Sequence, residues 1–401
     1  MISIFKNGED CCGCGACVNA CPVSAISMQE DELGFKYPAI DSDKCIKCGL
    51  CEKTCVYKKD TLSNNTPQKV YAVTNKNRDT VMRSTSGGVF AEIARKVLED
   101  GGLVYGVAYG DDISTDGVRH VCIENESELA RIQGSKYVHS NMGFTMQKIK
   151  SDLESGRTVM FSGSPCQIAG LRGYLKKDYD NLILVDVICH GVPSQRWFSE
   201  FITSIEKKIK GHITDFKFRD KSRGQGMNGG VYYTDKNGRN KYFCKKGWLF
   251  SYFYLFSYGA ILRENCYACP YSKAERYSDI TIGDYWKYKE VFPDGKRPVE
   301  MNSINGVSCA LLNTQKGIEL FNKIDDNFYM LESSLDDIVA RNQQLRAPAD
   351  KHPLRDAFTE AYKKDRYEGV DRLYKKKFKK VIIKSFIANY IPKPVARMLQ
   401  K

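Results

Sequence analysis

Residues 11–22 read Cys11-Cys12-Gly13-Cys14-Gly15-Ala16-Cys17-Val18-Asn19-Ala20-Cys21-Pro22, and residues 45–56 read Cys45-Ile46-Lys47-Cys48-Gly49-Leu50-Cys51-Glu52-Lys53-Thr54-Cys55-Val56. Each is a Cys-x2-Cys-x2-Cys-x3-Cys run. Where this run is written twice, each copy gives three thiolates to one 4Fe–4S cubane and its fourth Cys to the other. The spacing therefore predicts one cluster on Cys11, Cys14, Cys17 and Cys55, and a second on Cys45, Cys48, Cys51 and Cys21. The x2 spacings wrap backbone N–H groups around a cubane. Gly13, Gly15 and Gly49 permit an approach that side chains would block. Cys12 is the odd thiol and is not read as a ligand. Val56 stands where the first run has Pro22, which leaves every ligand in place. Structural zinc favours separated Cys pairs over four-Cys runs, and a disulfide framework would imply a secreted chain.

Such a two-cluster, ferredoxin-like module needs residues 1–60, so most of the 401-residue chain must do something else. The composition, 42% hydrophobic and 27% charged, is that of an ordinary soluble protein. Sixteen Cys fit metal ligation in a reducing compartment. The start, Met1-Ile2-Ser3-Ile4-Phe5-Lys6, lacks a long apolar segment and cleavage pattern, which predicts a cytoplasmic protein. The longest uncharged run, Gly247 to Leu262, is short for a membrane span and reads as a buried aromatic helix. Of the net charge of +13, +10 lies in residues 363–401. A uniformly basic groove is therefore not indicated, and nucleic acid is not expected as a partner.

Residues 61–68 are polar and turn-rich, as a linker is. Beyond them strand and helix patterns alternate. Lys69–Thr74 reads as a strand, Val89–Leu98 as a helix, and Leu103–Val107 as a buried strand. Val118–Ile123, Phe144–Leu153, Thr158–Phe161, Ile168–Leu175, Leu182–Ile188 and Trp197–Ile209 continue the series. From Thr214 to Phe243 short strands take over, with an Asn237-Gly238 hairpin signal. A strand and a helix follow at Val307–Leu312 and Lys316–Ile324. The expected fold class is α+β or α/β: a two-cluster module, a mixed α/β body in parts 69–156 and 157–330, and a basic helical tail over 331–401.

Four later Cys stand out by context. Cys166 sits between an apolar strand and a helix start, and Cys189 at the end of another strand. Cys266 and Cys269 form a Cys-x2-Cys pair. Strand ends are where α/β proteins build sites. The four are either a thiolate set for a third cubane, or two core thiols and an isolated pair. Gly224-Gln225-Gly226-Met227-Asn228-Gly229 satisfies GxGxxG, but it follows a charged segment and precedes a strand. A dinucleotide fingerprint needs a strand before it and a helix after. It reads instead as a flexible hairpin loop near the active site.

Several segments together resemble one family. They are Arg83-Ser84-Thr85-Ser86-Gly87-Gly88, Gln133-Gly134-Ser135-Lys136-Tyr137-Val138, Ser164-Pro165-Cys166-Gln167, Cys189-His190-Gly191-Val192-Pro193 and Cys266-x2-Cys269 with Ser278-Asp279-Ile280-Thr281-Ile282-Gly283-Asp284. The family is the β subunit of coenzyme F-420-reducing hydrogenase and dehydrogenase, with relatives among flavin-dependent reductases of the chlorophyll pathway. The likeness spans roughly residues 68–330. It implies a third 4Fe–4S cluster on Cys166, Cys189, Cys266 and Cys269. It also implies a flavin, FAD or FMN, near Ser84, Thr85, Ser86, Gly87 and Gly88 and near Gly134, Ser135, Lys136 and Tyr137. The residues suit that reading. Ser86-Gly87-Gly88 precedes a helix whose free N–H groups can hold a phosphate. Lys136 can pair with negative charge, and Tyr137 can stack on a ring. Taken bare, Ser-Gly-Gly is equally an ordinary cap turn. His190 is either an acid near the cofactors or a residue that orients the Cys189 loop. Lys136 and Asp284 are further catalytic candidates.

The implied activity is that of an iron–sulfur flavoprotein oxidoreductase acting on a small organic substrate. That substrate is either an intermediate of sugar or polysaccharide assembly or the deazaflavin coenzyme. The alternative is an electron-transfer subunit without its own substrate, docked on a catalytic partner. Either way a ferredoxin-type or other redox partner is expected. The run Lys375-Lys376-Lys377-Phe378-Lys379-Lys380 and the apolar-rich stretch after it suit either a helix packed on the body or peripheral contact with an anionic membrane.

Overall fold

Each Cys run bends into a short helix at a glycine in the left-handed region: Gly15 (φ 77°) before Ala16–Asn19, and Gly49 (φ 70°) before Leu50–Thr54. The two turns give the N-terminal module its internal symmetry. In the computed structural model, which describes residues 8–57 and 62–390, a hairpin lies between them. Its strands are β1 (Ile26–Glu30) and β2 (Lys36–Ile40), paired antiparallel with Ile26 opposite Ile40. Residues 1–7, the end of the N-terminal module with the first linker residue (58–61) and the end of the tail (391–401) lie outside the described residues. From Leu62 on, the linker is held to the body, with Asn65 and Arg276 exchanging backbone hydrogen bonds of 2.8 Å.

The body strands are β3 (Lys69–Asn75), β4 (Leu103–Tyr109), β5 (Val118–Ile123), β6 (Val159–Gly163), β7 (Leu182–Val187), β8 (Gly211–Lys217), β9 (Asn228–Asp235), β10 (Asn240–Lys246), β11 (Ile280–Asp284), β12 (Ser308–Leu312) and β13 (Phe328–Glu332). Eight of them form one sheet in the order β13-β3-β12-β11-β7-β6-β4-β5, so segments 69–156 and 157–330 share a sheet. β4, β6, β7 and β11 run parallel at its centre. These strands read as unbroken apolar runs because both faces are covered. Val104, Met160, Ile183 and Val185 face the helix Val89–Glu99, whereas Tyr105, Phe161, Leu182 and Leu184 face the helices Thr145–Glu154 and Pro165–Leu175. Burying one such side chain contributes about 1.5–3 kcal/mol. β13 crosses residue 330 and pairs with β3, far away in sequence.

β8, β9 and β10 make a second, antiparallel sheet, with Gly238 (φ 74°) in the hairpin turn. It packs in an aromatic layer with the helices Gln195–Ile209, Ser251–Ser257 and Arg355–Lys377. Trp197 stacks on Tyr362 at 4.1 Å. The helix expected over Gly247–Leu262 covers only Ser251–Ser257. Gly259 (φ 66°) turns the chain where a Cβ would lie 2.1 Å from the Asp350 carbonyl, and the chain then bends into the 3-10 turn Glu264–Ala268 that carries Cys266. The tail is helical and docked: Phe358, Tyr362, Tyr367, Val370 and Tyr374 are buried, and Arg223 reaches the Asn389 carbonyl at 3.0 Å. Among the described residues no helix is long and apolar enough to cross a membrane.

The N-terminal module sits on the helix Pro165–Leu175, which presents Gly170 to Cys14 and Gly173 to Val56. Asn19 donates to the Gly143 carbonyl (2.8 Å), Ser194 Oγ to the Leu33 carbonyl (2.8 Å), and Arg196 forks onto Glu30.

Candidate functional site

The thiols fall into three groups. Cys11, Cys14, Cys17 and Cys55 line one small cavity, with Gly13 and Gly15 in its wall. Cys21, Cys45 and Cys51 pack against Ile26 and Ile40, which Cys17 also touches, and Cys48 is exposed at the surface. In the body, Cys166 enters the helix Pro165–Leu175 behind a capping box made by Ser164 and Gln167, and Ser164 Oγ lies 3.2 Å from its sulfur. Cys189 follows β7, and Cys266 and Cys269 bracket a 3-10 turn. Cys266 interacts electrostatically with Cys189, Cys269 and Cys166. Hydrogen bonding from Cys12 and Ser164 brings the Cys166 thiol down to about 7, and burial pushes Cys189 up to about 12.

No three His, Cys, Asp or Glu side chains among the described residues converge on a point as ligands of a single ion do. A cubane distributes its thiolates over four corners, and each group offers that chemistry with glycine-permitted backbone close by.

The first and third groups are neighbours. Cys12, 4% exposed, is electrostatically linked to both Cys14 and Cys166. Tyr57, just after Cys55, packs edge-on against Tyr271 at 6.1 Å and closes the side of the gap.

On the other side of Cys189 the ends of β6, β7 and β11 open onto a cavity of about 490 Å³. That volume lies within the range of small-molecule and cofactor sites, and its place beyond parallel strand ends is where open α/β sheets bind ligands. Ser84, Thr85, Ser86, Gly88, Gly134, Ser135, Lys136 and Tyr137 all line it. Gly87 does not; it turns to the sheet, where a Cβ would sit 2.2 Å from the Val73 carbonyl. The helix Val89–Glu99 begins at Gly88 without a side-chain cap, so its first N–H groups face the cavity rim.

Three expected residues are more committed than their motifs suggest. Lys136 donates to the Arg131 and Gln133 carbonyls (3.0 and 3.2 Å), capping a helix end, and burial pulls its ammonium down to about 8. Tyr137 is stacked on Phe256 at 4.7 Å, and its hydroxyl accepts from Arg219 at 3.2 Å. Asp284 is paired with Arg219 at 2.8 Å and receives Gln225 at 3.0 Å, which brings the GxGxxG loop to the cavity. His190 lines the cavity with Nδ1 3.1 Å from Gln344 Nε2; its buried Nε2 makes no well-formed hydrogen bond among the described residues, and the ring lies near the Phe256 and Ser257 backbone. Accepting from an amide at Nδ1 leaves Nε2 as the N–H donor.

Arg219, Lys221, Trp286 and Gln344 also belong to this site, and no spacing in the sequence announces them. Lys221 Nζ donates to the Val81, Ser86 and Asn305 carbonyls (2.6, 2.6 and 2.5 Å), tying the Ser84–Gly88 turn down from below. The only trace in the sequence is the charged run before the GxGxxG loop.

Residues 156–338 match the family model for the C terminus of the coenzyme F-420 hydrogenase/dehydrogenase beta subunit, and residues 10–59 match a 4Fe–4S dicluster domain. The C-terminal part of the chain, residues 156–338, belongs to the coenzyme F-420 hydrogenase/dehydrogenase beta subunit family. The dicluster domain stands in front of it. The N-terminal part is 36% identical over 77 residues to a 7Fe ferredoxin of Hydrogenibacillus schlegelii, covering 18% of this chain and 87% of that protein. It is 38% identical over 58 residues to an iron–sulfur subunit of CoB–CoM heterodisulfide reductase from Methanocaldococcus jannaschii, covering 11% of this chain. It is 46% identical over 48 residues to a methylamine utilization ferredoxin-type protein of Methylophilus methylotrophus, again 11% of this chain. The chain spans only 9% and 21% of the length of those last two relatives. A chain of the F-420-reducing nickel–iron hydrogenase complex from Methanosarcina barkeri aligns over 77% of this chain and 91% of its own length, at 13% identity and a TM-score of 0.38. The chain thus joins a 4Fe–4S dicluster domain to the C-terminal domain of that beta subunit family.

Proposed function

We propose that the chain is an iron–sulfur flavoprotein oxidoreductase. It would connect the two N-terminal cluster sites, through a third cluster on Cys166, Cys189, Cys266 and Cys269, to a flavin in the 490 Å³ cavity. The observation that carries this reading is that the thiol groups and the cavity are contiguous. Cys12 is buried and interacts electrostatically with both Cys14 and Cys166, and Cys189 interacts likewise with Cys266 and lines the cavity wall. The clusters and flavin, when bound, supply one-electron carriage and its conversion to a hydride equivalent.

The residues do the rest. The Gly88 helix start and Ser84–Ser86 offer N–H and O–H donors to a phosphate, FAD or FMN alike. Lys221 fixes that turn from below. His190 Nε2–H stands at the wall beside Cys189 as the donor available to a substrate carbonyl or alkene. The deazaflavin coenzyme and an organic intermediate of sugar or polysaccharide assembly both fit a cavity with one exposed stacking surface, Trp286.

The second reading, an electron-transfer subunit docking on a catalytic partner, is favoured by the surface position of Cys48 beside Ile46, which is 61% exposed. Anaerobic purification followed by iron, sulfide and flavin determination separates the two. About twelve irons and one flavin are expected for the full set, at four irons per cluster. About eight irons and no flavin would remove both the third cluster and the flavin. Exposed Ile383, Phe386 and Tyr390 beside the basic run support a peripheral contact with an anionic membrane. Vesicle flotation of an Ile383→Glu/Phe386→Glu variant tests it, and flotation equal to that of the unaltered chain would exclude the contact.

A further inference from the structure

Arg263 lies at the junction of the N-terminal module and the body, and none of its surface is exposed. Nε donates to the Cys11 carbonyl (2.9 Å) and Nη1 to the Lys36 carbonyl (3.0 Å), both in the module. Its own backbone N–H is bound to Val192 in the body (2.9 Å), and its carbonyl receives the Cys266 N–H (2.9 Å). The guanidinium lies 4.0 Å from the Tyr37 ring centroid, and Gly13 passes so close that a Cβ there would be 3.2 Å from Cζ. Nη2 is buried with no hydrogen-bond partner among the described residues, and no carboxylate there forms an ion pair with this arginine.

A guanidinium is a positive group, and a fold that buries one without a carboxylate needs another negative partner. The groups beside it that can supply negative charge are thiolates: its Nε holds the Cys11 carbonyl of the first site and a Cβ on Gly13 would lie 3.2 Å from its Cζ, while its own carbonyl holds the Cys266 N–H of the body group.

We propose that Arg263 is the counter-charge shared by the Cys11/Cys14/Cys17/Cys55 cluster and the Cys166/Cys189/Cys266/Cys269 cluster. A fixed positive charge between them favours the reduced state of each and so raises both potentials. The Cys21/Cys45/Cys48/Cys51 site lies outside its contacts. This rests on the cluster assignment proposed above.

The test uses the full chain, purified anaerobically, with iron content and an electron-paramagnetic-resonance redox titration as readouts. Arg263→Gln is expected to lower the one-electron reduction equilibrium of two clusters at least tenfold, which is 59 mV, and to leave the third unmoved. Arg263→Lys keeps the charge and is expected to stay within threefold of the unaltered chain at all three. Should Arg263→Gln lose iron from those two sites while Arg263→Lys retains it, the counter-charge is equally supported. The proposal is overturned if Arg263→Gln holds about twelve irons, at four per cluster, with all potentials unmoved. It is also overturned if the three shift together, or if both variants lose iron alike. About eight irons in the unaltered chain, two clusters' worth, would instead refute the underlying assignment before any variant is compared.

Discussion

Replacing Gly170 by alanine sets two well-known effects against each other, and the structure decides which wins. Gly170 and Gly173 lie inside the helix Pro165–Leu175, three residues apart and so on one face. On helix propensity alone, each Gly→Ala change should stabilise the protein by about 0.5–1 kcal/mol. The same face carries the N-terminal module. A Cβ on Gly170 would lie 2.8 Å from both Cβ and Sγ of Cys14, and one on Gly173 would lie 2.3 Å from Val56 Cγ1 and 2.7 Å from the Thr54 carbonyl. Cys14 Cβ and the Thr54 carbonyl belong to the backbone frame and have no rotamer by which to retreat. Overpacking of this kind costs about 1–3 kcal/mol per site. The net expectation is a loss of up to about 2 kcal/mol for each single variant, the difference of those two ranges. The loss should be concentrated in docking of the module rather than in the sheet. Hydrogen exchange on the full chain reads it: amides in residues 10–57 should exchange up to about thirtyfold faster, while those of β6 and β7 hold their rates. Urea unfolding gives the total. If both single variants are more stable by the propensity increment and the module's amides do not change, the close packing of this face is wrong.

Asp186 and Arg276 form an ion pair at 2.8 Å with both side chains at most 1% exposed. Asp186→Asn leaves the guanidinium uncompensated and should cost about 3–5 kcal/mol in urea unfolding; a loss under about 1 kcal/mol would mean the pair is hydrated. Lys221→Met removes the donor to three carbonyls under the Ser84–Gly88 turn. Bound flavin per chain should fall while iron stays constant, and equal flavin content in both proteins would detach Lys221 from that site. His120 is buried beside Phe161, with its pKa lowered to about 4 by burial. Between about pH 6.5 and 4 the unfolded chain therefore binds a proton that the folded chain refuses. Stability is full above about 6.5 and falls on acidification through that window, by up to about 3 kcal/mol. A His120→Gln variant should show a shallower acid slope, and identical slopes would count against the buried neutral imidazole.

Much of the architecture could be read in advance because the central strands are covered on both faces. β3, β5 and the helix Val89–Glu99 fall where periodicity places them. The aromatic stretch after Gly247 misleads because buried composition does not reveal where Gly259 turns left-handed. β13 was invisible for a different reason: it pairs with β3 across more than 250 intervening positions, and no local pattern specifies such a partner. Within the site, Ser84–Gly88 and Gly134–Tyr137 have a signature, whereas Arg219, Lys221, Trp286 and Gln344 are single polar or aromatic residues on separate loops.

What the sequence determined by itself is the 4Fe–4S dicluster character of the N-terminal region. Thiolates within two or three residues of one another are held together by the chain itself, so their spacing carries the geometry. The tertiary structure alone decided how that module is used. Cys12, unremarked by any spacing rule, interacts electrostatically with both Cys14 and Cys166, and Arg263 is buried beside Cys11 with no carboxylate partner among the described residues. Both are long-range facts. Cys12 is 154 positions from Cys166, and Arg263 is 252 from Cys11; at such separations only packing, not the covalent chain, fixes which groups meet.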